Sequence, residues 1–130
     1  MKKHIVSHIA IYLLSVVMIY FGVYHFRFPK NMLEYVPNWL PGGIIWVKIV
    51  GGAFILAALS FILNKQAKLA AYLLALLLFI FALGVHLPTY LHGGMEETRQ
   101  SGLINMLKDT ALAAFALHIA GSADQKGIKF

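Results

Sequence analysis

A few polar side chains set in long apolar stretches are the residues of this chain that can do chemistry. Lys108 and Asp109 lie in the run from residue 103 to residue 121, which is otherwise mostly apolar. Charged side chains in such a run are costly in lipid, and they usually face a bundle interior or a water-filled cavity. Similar positions in the other apolar runs complete a set of five candidate ligand-binding residues: His25, Lys48, His86, Lys108 and Asp109.

These side chains suit a small ligand that carries oxygen atoms. We predict an ion pair between Lys48 and Asp109 across a helix bundle. We expect His25 and His86 to donate hydrogen bonds to the ligand, and Lys108 to reach a loop or a bound anion as a positive anchor. Lys108 and Asp109 should not pair with each other, because adjacent helical residues point about 100° apart. The alternative is that the two lysines extend to lipid headgroups.

The composition indicates a protein that folds in lipid. The chain has 130 residues, of which 60% are hydrophobic and 12% charged, with a mean hydropathy of +0.75. Soluble domains carry about 25% charged residues. The length fits a single domain, residues 1–130. The net charge of +6 does not indicate nucleic-acid binding, since the lysines lie at the ends of apolar runs without a basic, aromatic-rich stretch.

Four apolar runs have the length of membrane-spanning helices. About 20 helical residues cross the hydrocarbon layer, which is about 30 Å thick. Between the first two runs, three prolines and a Gly-Gly pair forbid one long helix, and we expect a short segment in the membrane interface. Pro88 is expected to end the third run. The prediction is an all-α membrane protein, a four-helix bundle with spans at residues 5–26, 44–63, 69–87 and 103–121.

The distribution of cations predicts the orientation of the bundle. Cytoplasmic segments of membrane proteins carry an excess of lysine and arginine. Three cations lie in the segments on one side: Arg27, Lys30 and Arg99. Six lie in the segments on the other side: Lys2, Lys3, Lys65, Lys68, Lys126 and Lys129. We therefore expect a multi-pass protein of the cell membrane, the inner membrane in a bacterium, with both termini in the cytoplasm.

Alternating span directions bring the polar residues to one depth. The first and third spans run outward, so His25 and His86 lie at their outer ends. The second and fourth run inward, so Lys48 and Asp109 lie in their outer thirds. The sequence therefore predicts a shared polar pocket in the outer leaflet, with lipid around it.

Other chemistries have weaker support in the sequence. His25 and His86 could together ligate haem or a metal, but no third ligand is fixed beside them, so we predict no metal site and regard haem as the weaker cofactor. Their alternative role is to hold loop carbonyl groups. The chain has no cysteine, which excludes disulfides and thiolate chemistry within it. It also lacks phosphate-loop, dinucleotide and serine-hydrolase motifs, and whether it is an enzyme stays open.

Several short motifs, in order along the chain, resemble the DoxX-like family of small four-helix membrane proteins. Lys48 with Gly51-Gly52 is similar to the second-helix glycine region of that family, and residues 105–109 resemble its fourth-helix motif. Ile55 departs from it, because many members carry a glutamate or another polar residue there. The first half contributes Phe21-Gly22, His25-Phe26, Pro29, Met32, Val36-Pro37 and Leu40-Pro41.

The resemblance implies a function in a membrane redox system. Members of that family are associated with quinone-linked oxidoreductases and with complexes that handle oxidative or sulfur stress. By this resemblance the chain would be an accessory subunit that binds quinone in the outer-leaflet pocket, beside membrane redox partner proteins and with homo-oligomers as a further option. The alternative is a non-enzymatic assembly or scaffolding protein, in which the polar residues fix helix register.

Overall fold

The computed structural model describes residues 2–124 and 127–128. Two of the lysines used above to orient the bundle, Lys126 and Lys129, lie outside the described residues. Within them the chain is helical: α1 (Lys2–Arg27), a 3₁₀ helix (Pro29–Tyr35), α2 (Ile44–Leu63), α3 (Ala67–Phe81), a π-helical turn (Ala82–His86), α4 (Leu87–His92) and α5 (Glu96–Ser122). Two strands of two residues, Ala123–Asp124 and Gly127–Ile128, pair antiparallel after α5.

Four helices are long and apolar enough to cross a membrane: Ile5–Arg27, Ile44–Leu63, Ala67–His92 and Glu96–Ser122. The predicted all-α architecture with four such helices is therefore confirmed. Their outer surface is apolar, with exposed side chains such as Leu56, Leu73 and Leu107. A surface of this kind is unusual for a soluble monomer and is what a lipid environment requires.

The helix ends near Pro88 differ from the prediction. The residues after Pro88 continue as α4, and α5 begins at Glu96. Most of the segment between the third and fourth predicted spans, residues 88–102, is therefore helical. In the π turn the N–H of Leu87 donates to the carbonyl of Ala82, five residues back. This wider turn ends two residues before Pro88 and makes room for a ring that lacks an N–H, which explains why the proline does not end the helix.

The bundle consists of two helix pairs. Helix α1 packs along α2, and α3 packs along α5, whereas α2 and α3 share a smaller contact. Both α3 and α5 bury small side chains, including Ala71 and Ala116, which are fully buried. The Lys68 ammonium donates to the carbonyls of Ala120 and Ala123 at 3.0 Å each, and thereby ties the start of α3 to the end of α5.

Two glycines allow the backbones of α1 and α2 to approach closely. A Cβ atom on Gly51 would lie 2.8 Å from the Cβ of His25 and 2.9 Å from the carbonyl oxygen of Gly22. A Cβ on Gly22 would lie 2.7 Å from the carbonyl oxygen of Gly51. Small residues at such crossings are the usual means of helix association in lipid. This contact also fixes the position of His25 at the end of α1.

Candidate functional site

A cavity of about 650 Å³ lies between the two helix pairs. It is at the end of the bundle where α1 and α3 finish and where α2 and α5 begin, and the 3₁₀ helix covers part of it. Its walls are mainly apolar and aromatic, with Phe21, Phe54 and Phe81 among them. Polar side chains reach it from several elements: Tyr20, Tyr24, His25, Tyr35, Trp46, His86, Asn105, Lys108 and Asp109.

Four of the five predicted ligand-binding residues line this cavity, and one does not. His25 comes from α1, His86 from the π turn, and Lys108 and Asp109 from α5. Lys48 is exposed on the outside of α2 and is absent from the lining. The inference that antiparallel spans bring polar groups to one layer therefore agrees with four of the five positions. That these residues bind a ligand stays a prediction.

Asp109 is the buried charge of the site, and its partners differ from the predicted one. Its carboxylate lies 3.1 Å from His86 Nε2 and 3.6 Å from Lys108 Nζ, and its side chain is only 7% exposed. The predicted ion pair between Lys48 and Asp109 is therefore wrong. So is the expectation that Lys108 and Asp109 cannot meet, because the long lysine side chain folds back to its neighbour.

The position of Lys48 follows from its rotation around α2. Val47, Val50 and Phe54 form the stripe of α2 that lines the cavity. Lys48 follows Val47 and is turned away from that stripe by about 100°. The face of α2 on which Lys48 lies was not apparent from the sequence.

His86 has one nitrogen paired and one unpaired. Nε2 faces the carboxylate of Asp109, while Nδ1 is the buried side-chain polar atom that lacks a hydrogen-bond partner among the described residues. Its ring meets the ring of Tyr35 edge to face, with centroids 5.6 Å apart. A buried polar nitrogen without a partner is costly, so a nitrogen of this kind in a cavity wall suggests a ligand.

His25 is held by the backbone of its own helix. Its Nδ1 lies 2.6 Å from the carbonyl oxygen of Phe21, which can only accept, so Nδ1 carries a hydrogen and donates it. The ring also packs edge to face on Phe54, at a centroid distance of 5.4 Å. These two contacts fix the orientation of the imidazole in the wall of the cavity.

Tyr35 and Asn105 belong to the site and were missed as binding residues. The Tyr35 phenol lies near the side chains of Asn105 and Glu34. Partial burial, followed by the negative charge of Glu34, raises the pKa of Tyr35, so its hydroxyl keeps its proton at neutral pH. The spacing of Asn105 from Asp109, four residues on one helical face, was the available signal. Tyr35 had no comparable signal, because its aromatic surroundings are also typical of a membrane interface.

The cavity lining provides hydrogen-bonding groups and aromatic rings for contact with a cofactor. Lys108 Nζ lies 5.3 Å from the centre of the Phe21 ring, a cation–π distance, while also facing Asp109. Phe54 contacts Phe21 and Phe81 with ring centroids 6.4 Å apart in each case. No group of three or more histidine or carboxylate side chains comes together as metal ligands within the described part of the chain.

A family model matches residues 14–120, which include every residue that lines the cavity. The chain belongs to this family, whose description is Domain of unknown function (DUF8561). The matched range contains α2, α3, the π turn and α4, together with most of α1 and α5. No curated protein and no solved structure matches the chain.

Proposed function

We propose that this DUF8561 member binds a small, flat, mostly apolar ligand, with a quinone in its oxidised or reduced form as the best fit, as an accessory subunit of a membrane redox system. The observation that carries the proposal is the cavity itself. Its volume of about 650 Å³ lies in the range of small-molecule sites. Such sites combine apolar and aromatic walls with a few polar groups that orient the ligand, and this cavity has the same composition.

The rim of the cavity supports entry from the bilayer. Tyr20, Trp39 and Ile80 line the cavity, yet their side chains are among the exposed large apolar residues of the bundle. A ligand dissolved in lipid would therefore meet the opening between the helix pairs without crossing water. Quinones, which partition into membranes and carry polar oxygens on a flat ring, have the required properties.

The likeness of the residues to the DoxX-like family supports the redox assignment, with membrane redox proteins as partners. The rival proposal is an assembly or scaffolding protein. The specific observation in its favour is the cluster of Asp109, His86 and Lys108, which can fix helix register without any ligand. A stoichiometric partner recovered in mild detergent, combined with no response to quinones, would favour this rival.

We expect quinones to raise the thermal stability of the purified chain. A ligand that binds only the folded state stabilises it by about 2.7 kcal/mol at a concentration one hundred times its dissociation constant. The measurement is the unfolding temperature in detergent with decylubiquinone and with menadione, each in its oxidised and reduced forms. No shift with any of the four forms would contradict the proposal.

A matched pair of variants localises the effect. Val50 lines the cavity, whereas the neighbouring Ile49 is exposed on the outer face of α2. Val50→Trp fills the cavity and should abolish the quinone-dependent shift. Ile49→Trp adds the same side chain outside and should retain it. Equal shifts in the two variants would place the ligand elsewhere.

For the orientation we propose both termini in the cytoplasm, with the cavity in the outer leaflet and the segment containing the 3₁₀ helix in the membrane interface. Because the chain contains no cysteine, single cysteines report on topology without background. In intact cells, Glu97→Cys should react with a membrane-impermeant maleimide, and Lys65→Cys should react only after lysis. Both side chains are exposed. The reverse labelling pattern would place the cavity in the cytoplasmic leaflet.

A further inference from the structure

We propose that the cavity selects the reduced, hydroxyl-bearing form of its ring ligand, a quinol, over the oxidised quinone. The inference rests on the proposed function and specifies its ligand. It depends on which ring nitrogen of each cavity histidine carries the hydrogen and donates it to a group of the protein. A quinone offers only acceptors at its ring oxygens, whereas a quinol offers two O–H donors, so the two forms need opposite partners.

His25 presents an acceptor to the cavity. A neutral imidazole has one N–H and one bare nitrogen. The N–H of His25 is at Nδ1, because Nδ1 lies 2.6 Å from the carbonyl oxygen of Phe21. The bare nitrogen is then Nε2, which can accept a hydrogen bond but cannot donate one. This reverses the donor role that we predicted for His25 from the sequence.

His86 presents a second acceptor by a different route. Its Nε2 lies 3.1 Å from the Asp109 carboxylate, which accepts, so the hydrogen of the neutral ring is at Nε2. Its Nδ1 is then bare, and this is the buried atom without a partner. The negative charge of Asp109 is already balanced by Lys108, 3.6 Å away. In the neutral form the ring therefore offers the cavity an acceptor and no donor.

Two donors near the histidines also have neighbours within the protein. The Tyr35 hydroxyl lies near the side chains of Asn105 and Glu34. The Lys108 ammonium faces Asp109 and the ring of Phe21. Donors in the wall, such as Lys108 and Asn105, can serve the oxygens of either redox form. The two bare histidine nitrogens only accept, so they can pair with the quinol alone. A ring with two hydroxyls satisfies both, whereas a quinone would place oxygen lone pairs against nitrogen lone pairs.

The test compares the two redox forms of one molecule on the full chain in detergent. Binding of decylubiquinol, kept reduced under argon, and of decylubiquinone is measured by quenching of Trp39 and Trp46, both of which line the cavity. We expect the quinol to bind at least tenfold more tightly. Tenfold corresponds to a rise of about 30 mV in the midpoint potential of the bound two-electron couple. The dimethyl ether of the quinol keeps the ring and lacks the hydrogens, so it should bind no better than the quinone.

The outcomes separate this inference from the proposed function. Equal or tighter binding of the quinone, or of the ether, overturns the preference while leaving the cavity as a ring site. Binding of none of the three ligands overturns the proposed function itself. A quinol that binds at least tenfold better than both supports the inference.

Substitution of each histidine assigns the preference to its nitrogen. His86→Phe and His25→Phe keep an aromatic ring and remove the acceptor. Each should lower quinol affinity toward that of the quinone and leave quinone affinity nearly unchanged. His86→Phe also removes a partner of Asp109 and for that reason can fail to fold. In that case His25→Phe decides the test, because the partner of His25 is a backbone carbonyl. An unchanged quinol preference in folded His25→Phe would contradict the role of Nε2.

Discussion

Replacing Asp109 with leucine should destabilise the folded protein by about 1–3 kcal/mol, the cost typical of leaving a buried polar group without its hydrogen-bond partner. The carboxylate is 7% exposed and faces both His86 and Lys108. Without it, the Lys108 charge loses its counter-ion, and His86 Nε2 joins Nδ1 as an unpaired polar atom. The measurement is the free energy of unfolding in mixed detergent micelles, followed by tryptophan fluorescence.

Two further variants test whether charge imbalance is the cause. Asp109→Asn keeps an oxygen that can accept from His86, so it should cost less than Asp109→Leu. Adding Lys108→Met to Asp109→Leu removes the orphaned charge and should recover part of the loss, which a double-mutant cycle would measure as a coupling energy.

Lys48 provides the matched control for this set. It is a charged residue next to Val47, which lines the cavity, but its own side chain is exposed and lines no part of the cavity. Lys48→Met should therefore change stability by no more than about 0.5 kcal/mol, the range of surface substitutions. If Lys48→Met were as damaging as Asp109→Leu, the predicted pairing of the two residues would have to be reconsidered.

Gly51→Ala should destabilise the bundle by about 1–3 kcal/mol, the usual cost of overpacking. The added methyl would lie 2.8 Å from the Cβ of His25 and 2.9 Å from the carbonyl oxygen of Gly22, so α1 would have to move away from α2. Because His25 is displaced by the same movement, ligand affinity should fall together with stability. Both can be measured on one preparation by thermal unfolding with and without the ligand.

The neighbouring glycine gives the control for the same chemical change. A Cβ on Gly52 would meet only Phe26 Cζ, at 3.9 Å, which is an ordinary contact distance. Alanine is favoured over glycine within a helix by about 0.5–1 kcal/mol, so Gly52→Ala should be neutral or stabilising. Equal losses in the two variants would show that helix propensity or expression, rather than the close approach of α1 and α2, determines the result.

The depth of the polar residues could be predicted from the sequence, whereas their rotation around each helix could not. Depth follows from the order and direction of the spans alone. On this basis the sequence predicted that His25, His86 and Asp109 lie together. Rotation is usually read from an apolar stripe opposite a polar one. In lipid both faces of a helix are apolar. The sequence therefore did not show that Val47, rather than its neighbour Lys48, faces the cavity.

The tautomers and the π turn needed coordinates for a related reason. The N–H of His25 is assigned by a distance to a backbone carbonyl, and backbone geometry of that precision is not encoded in residue types. The π turn leaves one trace in the sequence, the proline that follows it, and a proline is far more often a helix end.

The π turn of Ala82–His86 contains one more residue than a regular helical turn, and this changes the direction of the side chains that follow it. Each residue of a regular helix advances the direction of the next by about 100°. The five-residue hydrogen bond from Leu87 to Ala82 therefore shifts Leu87–His92 relative to the face that α3 presents to its neighbours. The continuous helix Ala67–His92 can therefore place Leu78 and His86 in the wall of the same cavity while its last turns pack against Gly102 of α5.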